Sequence, residues 1–250
     1  MIEIGLLCII FYGDIMIILF APAKTFDFNA NQLAEPNYQF KKETMQLMNR
    51  IKKLPKKAFL SLFKLPLSKA DDTFKYYHAF QEQLNYQAMS FYKGEAFKAL
   101  DFPSMSLKQQ QYLNEKTFII DAFYGVIKPF DGIKPYRLDF TISLDLKSFW
   151  KESVNTFFRQ YEKEPILSLA SKEFSSLLDK NRFDVYEVSF LDCKDNQCKS
   201  ISVFNKQMRG HLLNHVTKHE IDRIEDLPQT FLGYALEKEE KQLMYKRSID

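Results

Sequence analysis

Residues 16–25 read Met-Ile-Ile-Leu-Phe-Ala-Pro-Ala-Lys-Thr. The first five are apolar without alternation, and Ala21-Pro22 closes the run. Such a run predicts a strand buried on both faces, as in parallel or mixed sheets. Residues 117–121 and 166–169 repeat the pattern. Helical spacing occupies 38–54, 56–65, 68–84, 107–113, 148–161 and 171–178, with Pro55, Pro66 and Pro165 as stops. A short strand is expected at 88–92, with a helical turn over 94–100. Residues 184–192 alternate with period two and are expected to pair with a strand at 199–205 around the turn 194–197. A helix follows over 206–219, then a hairpin of 233–237 with 242–247. Strands and helices interleave irregularly. The expected fold is therefore α/β (mixed α+β), a single compact domain whose central mixed sheet is flanked by helices.

The chain has 250 residues, with 35 Lys+Arg against 32 Asp+Glu, a formal charge of +3. An apolar fraction of 46% and a charged fraction of 27% exclude disordered, collagenous and low-complexity classes. Twenty-four Phe and 13 Tyr beside only seven Gly predict a core packed with large rings. A charge of +3 is too small to establish a nucleic-acid partner; only clustering could. Three sparse cysteines, Cys8, Cys193 and Cys198, argue against a disulfide framework and for a reducing, cytoplasmic setting. Cys193 and Cys198 are expected as ordinary residues at the ends of a hairpin. The N-terminal apolar stretches 4–12 and 15–23 are split by Gly13 and Asp14, and neither reaches the ~18 residues of a spanning helix. No membrane partner is expected. Met16 is expected as the functional start, with residues 1–15 a loosely attached extension and 16–250 the single domain.

Three segments could carry chemistry. Lys24 and Thr25 follow the first strand, at the carboxyl end where sheets present ligand sites. Residues 124–138 spend two of seven Gly, two of nine Pro and one of seven Arg, and mix Lys128, Lys134 and Arg137 with Tyr124, Phe130 and Tyr136. Cations interleaved with rings suit phosphate contact and base stacking. Lys206 and Arg209, spaced i, i+3, are expected in the first turn of a helix whose free N–H groups would favour an anion. Gly210 beside them would let a ligand approach the backbone. His211, His215 and His219 share one helix face but lack a completing ligand set, so no metal is expected, and no cofactor either.

These segments, in this order, resemble the YaaA family of bacterial proteins over residues 16–247. Ala21-Pro-Ala-Lys-Thr25 looks like the family's S-P-A-K-T, and Phe91-Tyr-Lys-Gly-Glu95 is similar to its F-x-G-[DE]. Tyr124-Gly-Val-Ile-Lys-Pro-Phe-Asp131 and Pro135-Tyr-Arg-Leu-Asp139 match two more motifs, as do Leu169-Ala-Ser-Lys-Glu-Phe174 and Lys206-x-x-Arg-Gly210. The resemblance implies a positively charged cleft and a helix-hairpin-helix-like element, which would fall on residues 124–135. It also implies a cytoplasmic protein of the peroxide-stress response that binds DNA with low sequence specificity and limits oxidative damage, through lower free iron. The expected DNA- or anion-binding residues are Lys24, Thr25, Lys93, Tyr124, Lys128, Tyr136, Arg137, Lys206 and Arg209, with Asp131, Ser171 and Glu173 as polar or acidic partners. The alternative is an enzyme acting on a small anionic, nucleotide-like substrate, since carboxylates inside a basic pocket suit proton transfer. Lys24, Tyr124, Arg137, Glu173, Lys206 and Arg209 are expected to converge in space.

Overall fold

The computed structural model describes residues 15–64, 67–195 and 197–249. The expectation for the N-terminal extension falls, but for Ile15, outside the described residues. The chain opens with β1 (Ile17–Phe20) and β2 (Thr25–Phe26), then α1 (Lys41–Lys52), α2 (Lys56–Phe63) and α3 (Leu67–His78). Next come β3 (Tyr86–Gln87), α4 (Ala88–Phe91), β4 (Tyr92–Lys93), α5 (Glu95–Leu100) and α6 (Leu107–Lys116). The middle holds β5 (Thr117–Asp121), β6 (Gly125–Ile127), β7 (Gly132–Ile133), α7 (Leu146–Phe158), β8 (Ile166–Ser168) and α8 (Lys172–Ser175). The last part holds β9 (Val185–Lys194), β10 (Gln197–Lys199), α9 (Ser202–His219), β11 (Thr230–Phe231), β12 (Tyr234–Glu239) and β13 (Gln242–Ser248).

The main sheet runs β11-β12-β13-β9-β8-β1-β5-β6, with β10 on β9. β1 pairs in parallel with β5 on one side and β8 on the other, and β9 and β13 continue the parallel run. Every residue of β1, β5 and β8 is buried, as expected of central strands with apolar middles, and the polar Thr117, Asp121 and Ser168 at their ends are buried with them. The flanking hairpins are antiparallel. Helices supply the other half of the core. In α7, Leu146, Trp150, Val154 and Phe158 recur every four residues and are buried, and the Trp150 indole donates to the Ala122 carbonyl at 2.9 Å. α6 begins with a full capping box between Ser106 and Gln109.

Four local expectations are corrected. Residues 88–91 are a helical turn, because the Ala88 and Met89 amides donate to the Asp131 and Pro129 carbonyls and leave no strand partner. Residues 202–205 belong to α9, not to a second strand. Asn205 is buried and binds both the N–H and the C=O of Phe190, at 3.0 and 2.7 Å, folding the chain back onto β9. Residues 124–135 contain β6 and β7 and no helix, so the helix-hairpin-helix placement there does not hold. Gly125 takes φ +77°, with Trp150 and Phe40 packed where a Cβ would stand. Cys193 and Cys198, opposite each other on β9 and β10, form a disulfide. The hairpin register brings their Cα atoms to 4.0 Å, which sparse spacing alone did not reveal.

Candidate anion-binding site

The chain leaves β1 for β5 on one side of the sheet and later returns to β8 on the other. A crevice therefore opens beyond the carboxyl ends of β1 and β8, where open parallel sheets place ligands. It holds a cavity of about 370 Å³. The segment after β1 contributes Lys24, β2 contributes Thr25, β4 contributes Lys93, α5 contributes its first residue, Glu95, and α9 contributes Lys206 and Arg209. Asp139, Ser171 and Glu173 complete the polar lining. Four cations thus face three carboxylates. Thr25 and Lys93 are paired across β2 and β4, and the Thr25 hydroxyl donates to the Lys93 carbonyl.

The charges are not equally engaged. Lys24 lies 2.6 Å from Asp139. Burial opposes ionisation of Asp139, but hydrogen bonds from Lys24 and Thr141 prevail and hold its carboxyl below the usual carboxylate range. Lys93 lies 3.4 Å from Asp27. Glu95 accepts from Gln207 and Lys98, at 2.7 and 3.0 Å, and is held low. Glu173 accepts the Phe140 amide at 3.2 Å. Among the described residues, neither Lys206 nor Arg209 forms an ion pair. Arg209 donates one bond to the Val188 carbonyl at 3.1 Å, and its Nε is buried without a partner. Burial pushes its pKa down, countered in part by Glu187.

The expected site residues divide into two groups. Lys24, Thr25, Lys93, Ser171, Glu173, Lys206 and Arg209 line the one cavity. Arg137 lies beside it, in a hollow of about 220 Å³ that shares Lys24 and Thr25, and donates to the Lys24 carbonyl at 3.4 Å. The other four are engaged in the interior, although Tyr136 also borders the hollow that holds Arg137. Tyr124 is buried, exchanging hydrogen bonds with the Lys134 backbone. Tyr136 and Tyr92 both donate to buried Asp121, which also accepts the Phe123 and Tyr124 amides. Asp131 caps its own turn through the Lys128 amide at 2.7 Å. The Lys128 ammonium bonds the Glu115 carbonyl at 2.7 Å and lies 3.7 Å from the centre of the Phe118 ring.

The chemistry expected of α9 changes too. The helix starts at Ser202, so Lys206 and Arg209 lie beyond its first turn and its free N–H groups are not theirs to share with a ligand. Gly210 faces α5: a Cβ there would meet the Ala96 carbonyl oxygen at 2.1 Å. It permits close helix packing, not ligand approach. Sequence reasoning missed Glu95, whose signal was the acidic end of Phe91–Glu95, and Asp121, a carboxylate ending an apolar strand. Among the described residues, no His/Cys/Asp/Glu group is arranged to hold a metal ion, and no helix is long and apolar enough to cross a membrane.

A mixed α/β protein with a small cation-lined cavity at the carboxyl ends of its parallel strands is the class this arrangement defines. The profile of the peroxide stress protein YaaA family matches residues 16–240, and the chain belongs to that family. A UPF0246 protein of Fusobacterium nucleatum is 30% identical over 245 residues, 93% of this chain and 99% of that protein. One from Malacoplasma penetrans is 32% identical over 246 residues, covering 93% and 97%. A third, from Crocosphaera subtropica, is 28% identical over 223 residues, covering 83% and 88%.

Proposed function

We propose that this chain serves the peroxide-stress response in the cytoplasm by binding DNA through the cavity beyond the carboxyl ends of β1 and β8, with a backbone phosphate held by Arg209, Lys206 and Lys24. The observation that carries this reading is Arg209. Its guanidinium lines the cavity and, among the described residues, has no carboxylate paired with it, so an anion bound there would supply the missing counter-charge. Phosphate contacts of this kind carry little sequence information. We read any lowering of free iron as indirect, because the described residues offer no metal-binding cluster.

Asp139 and Glu173 favour a second reading. Carboxylates repel DNA, yet both line the same cavity of about 370 Å³, a volume within the range of small-molecule sites. An enzyme acting on a small anionic substrate would use them for proton transfer. Asp139→Asn separates the two. It frees Lys24 from its 2.6 Å partner, so a DNA binder should hold a labelled duplex roughly threefold tighter, given the modest worth of a half-exposed ion pair. If instead duplex affinity is absent in both proteins while a mononucleotide binds, the enzyme reading stands and the DNA reading fails.

A further inference from the structure

We propose that Cys193 and Cys198 form a redox site: a dithiol that a hydroperoxide oxidises to the observed disulfide, closing a staple that fixes the start of α9. The two residues are direct cross-strand partners on β9 and β10, and they are bonded. Cys198 is exposed and Cys193 half-buried, so a small oxidant can reach the first and the second is already in place to resolve it. Neither residue touches the phosphate site, and the chemistry needs nothing from it.

The step balances with hydroperoxide as the oxidant. The Cys198 thiolate attacks the terminal oxygen, an S–O bond forms and the O–O bond breaks. The departing oxyanion takes a proton and leaves as water or an alcohol. The Cys193 thiolate then attacks the sulfenic sulfur, the S–S bond forms, and hydroxide leaves and is protonated to water. Two thiols and one hydroperoxide give one disulfide, one alcohol or water, and one further water. A thiol reductant returns the pair by exchange.

The location gives the bond a consequence. β10 is only three residues long, all exposed, and is held to the molecule by its pairing with β9. The chain runs from it through Ser200 and Ile201 directly into α9. Asn205 joins both sides, donating to the Ser200 hydroxyl at 2.8 Å and to the Phe190 carbonyl of β9. With the disulfide closed, β9, β10 and the first turn of α9 form one tied unit. With it open, that turn keeps the Asn205 bonds to Phe190, but the strand leading into it is held by ladder bonds alone. α9 bears Lys206 and Arg209 one to two turns further on.

The test uses the whole chain carrying Cys8→Ser, so that only this pair is counted. After reduction and removal of reductant, hydrogen peroxide is added in stoichiometric amount. Expected are the loss of two free thiols per chain, consumption of one peroxide and a disulfide peptide joining Cys193 to Cys198. In the further Cys193→Ser variant, Cys198 should be trapped as its sulfenic acid by a dimedone-type reagent. Thiols that persist in excess peroxide, or a Cys198 that is never trapped, overturn the redox site. Amide exchange over residues 202–206 should be several-fold faster in the reduced protein than in the oxidised one. Equal exchange overturns the coupling to α9. None of these readouts involves DNA, so their failure is distinct from failure of the anion-binding reading.

Discussion

Arg209 separates a defined site from diffuse attraction. Its side chain lines the cavity with one buried donor unpaired, whereas Arg182 is a surface residue, its charge answered by Glu162 at 3.6 Å. Losing a charge-assisted contact to a ligand costs about 1.5–3 kcal/mol, and losing an exposed charge a few tenths. Arg209→Ala should therefore weaken duplex binding at fixed salt by roughly tenfold or more, and Arg182→Ala should hardly change it. Equal losses would mean no defined site. Lys128 makes the opposite case, a lysine turned inward. Burial pushes its pKa down to about 8 from 10.5, with Asp131 and Glu115 opposing. Between those values the unfolded chain binds a proton that the folded chain lacks, so this group makes stability rise with pH across the window. Urea unfolding at pH 8 and pH 10 should show the wild type gaining stability relative to Lys128→Met, the buried tyrosines that oppose the rise being common to both proteins. The same burial explains why Lys128, counted among the site residues from its sequence neighbourhood, does not line the cavity.

At the scale of elements, the contact of α5 with α9 decides how the basic residues are held. A methyl group on Gly210 would lie 2.1 Å from the Ala96 backbone oxygen and 2.9 Å from the Ala99 Cβ. Backbone cannot yield as a side-chain end can, so Gly210→Ala must push the helices apart. Overpacking of this kind costs typically 1–3 kcal/mol, and a clash with main chain belongs at about 3 kcal/mol. The check is a lower denaturation midpoint at unchanged m-value. The sequence shows the glycine but not what approaches it, so ligand and helix were equally good explanations. The same limit produced the other misplacements. The short segment 88–92, Ala-Met-Ser-Phe-Tyr, fits a strand or a helical turn, and only the distant carbonyls of Pro129 and Asp131 settle it. Residues 201–204, Ile-Ser-Val-Phe, have strand-like composition. Asn205, a single polar residue bonded across to Phe190, overrides it. By contrast β1, β5 and β8 were legible because burial on both faces leaves consecutive apolar residues, Met16–Phe20, Phe118–Ile120 and Ile166–Leu167, with no alternation.

At the scale of the whole molecule, the site was legible as far as its segments lie at strand ends. Lys24, Ser171 and Glu173 follow β1 and β8 directly, so the topology brings them together. Tyr124 and Tyr136 were misjudged because a ring among cations looks the same whether it stacks on a base or fills a core. That division sets the electrostatics. A net charge of +3 from 35 cations and 32 anions leaves no large field, and two of the four cations at the cavity already have carboxylates, Lys24 with Asp139 and Lys93 with Asp27. DNA binding should release counterions only for cations that meet phosphates, with a slope of about −0.9 per contact in log K against log salt. Two unpaired cations give about −1.8 and all four about −3.6 on that rule. The slope for a short duplex should fall between these values, and Asp139→Asn should steepen it by about one contact by releasing Lys24. A slope near −9, or about ten contacts, would place the DNA on the general surface and leave the cavity to some other ligand. A slope near zero would remove phosphate from the account altogether.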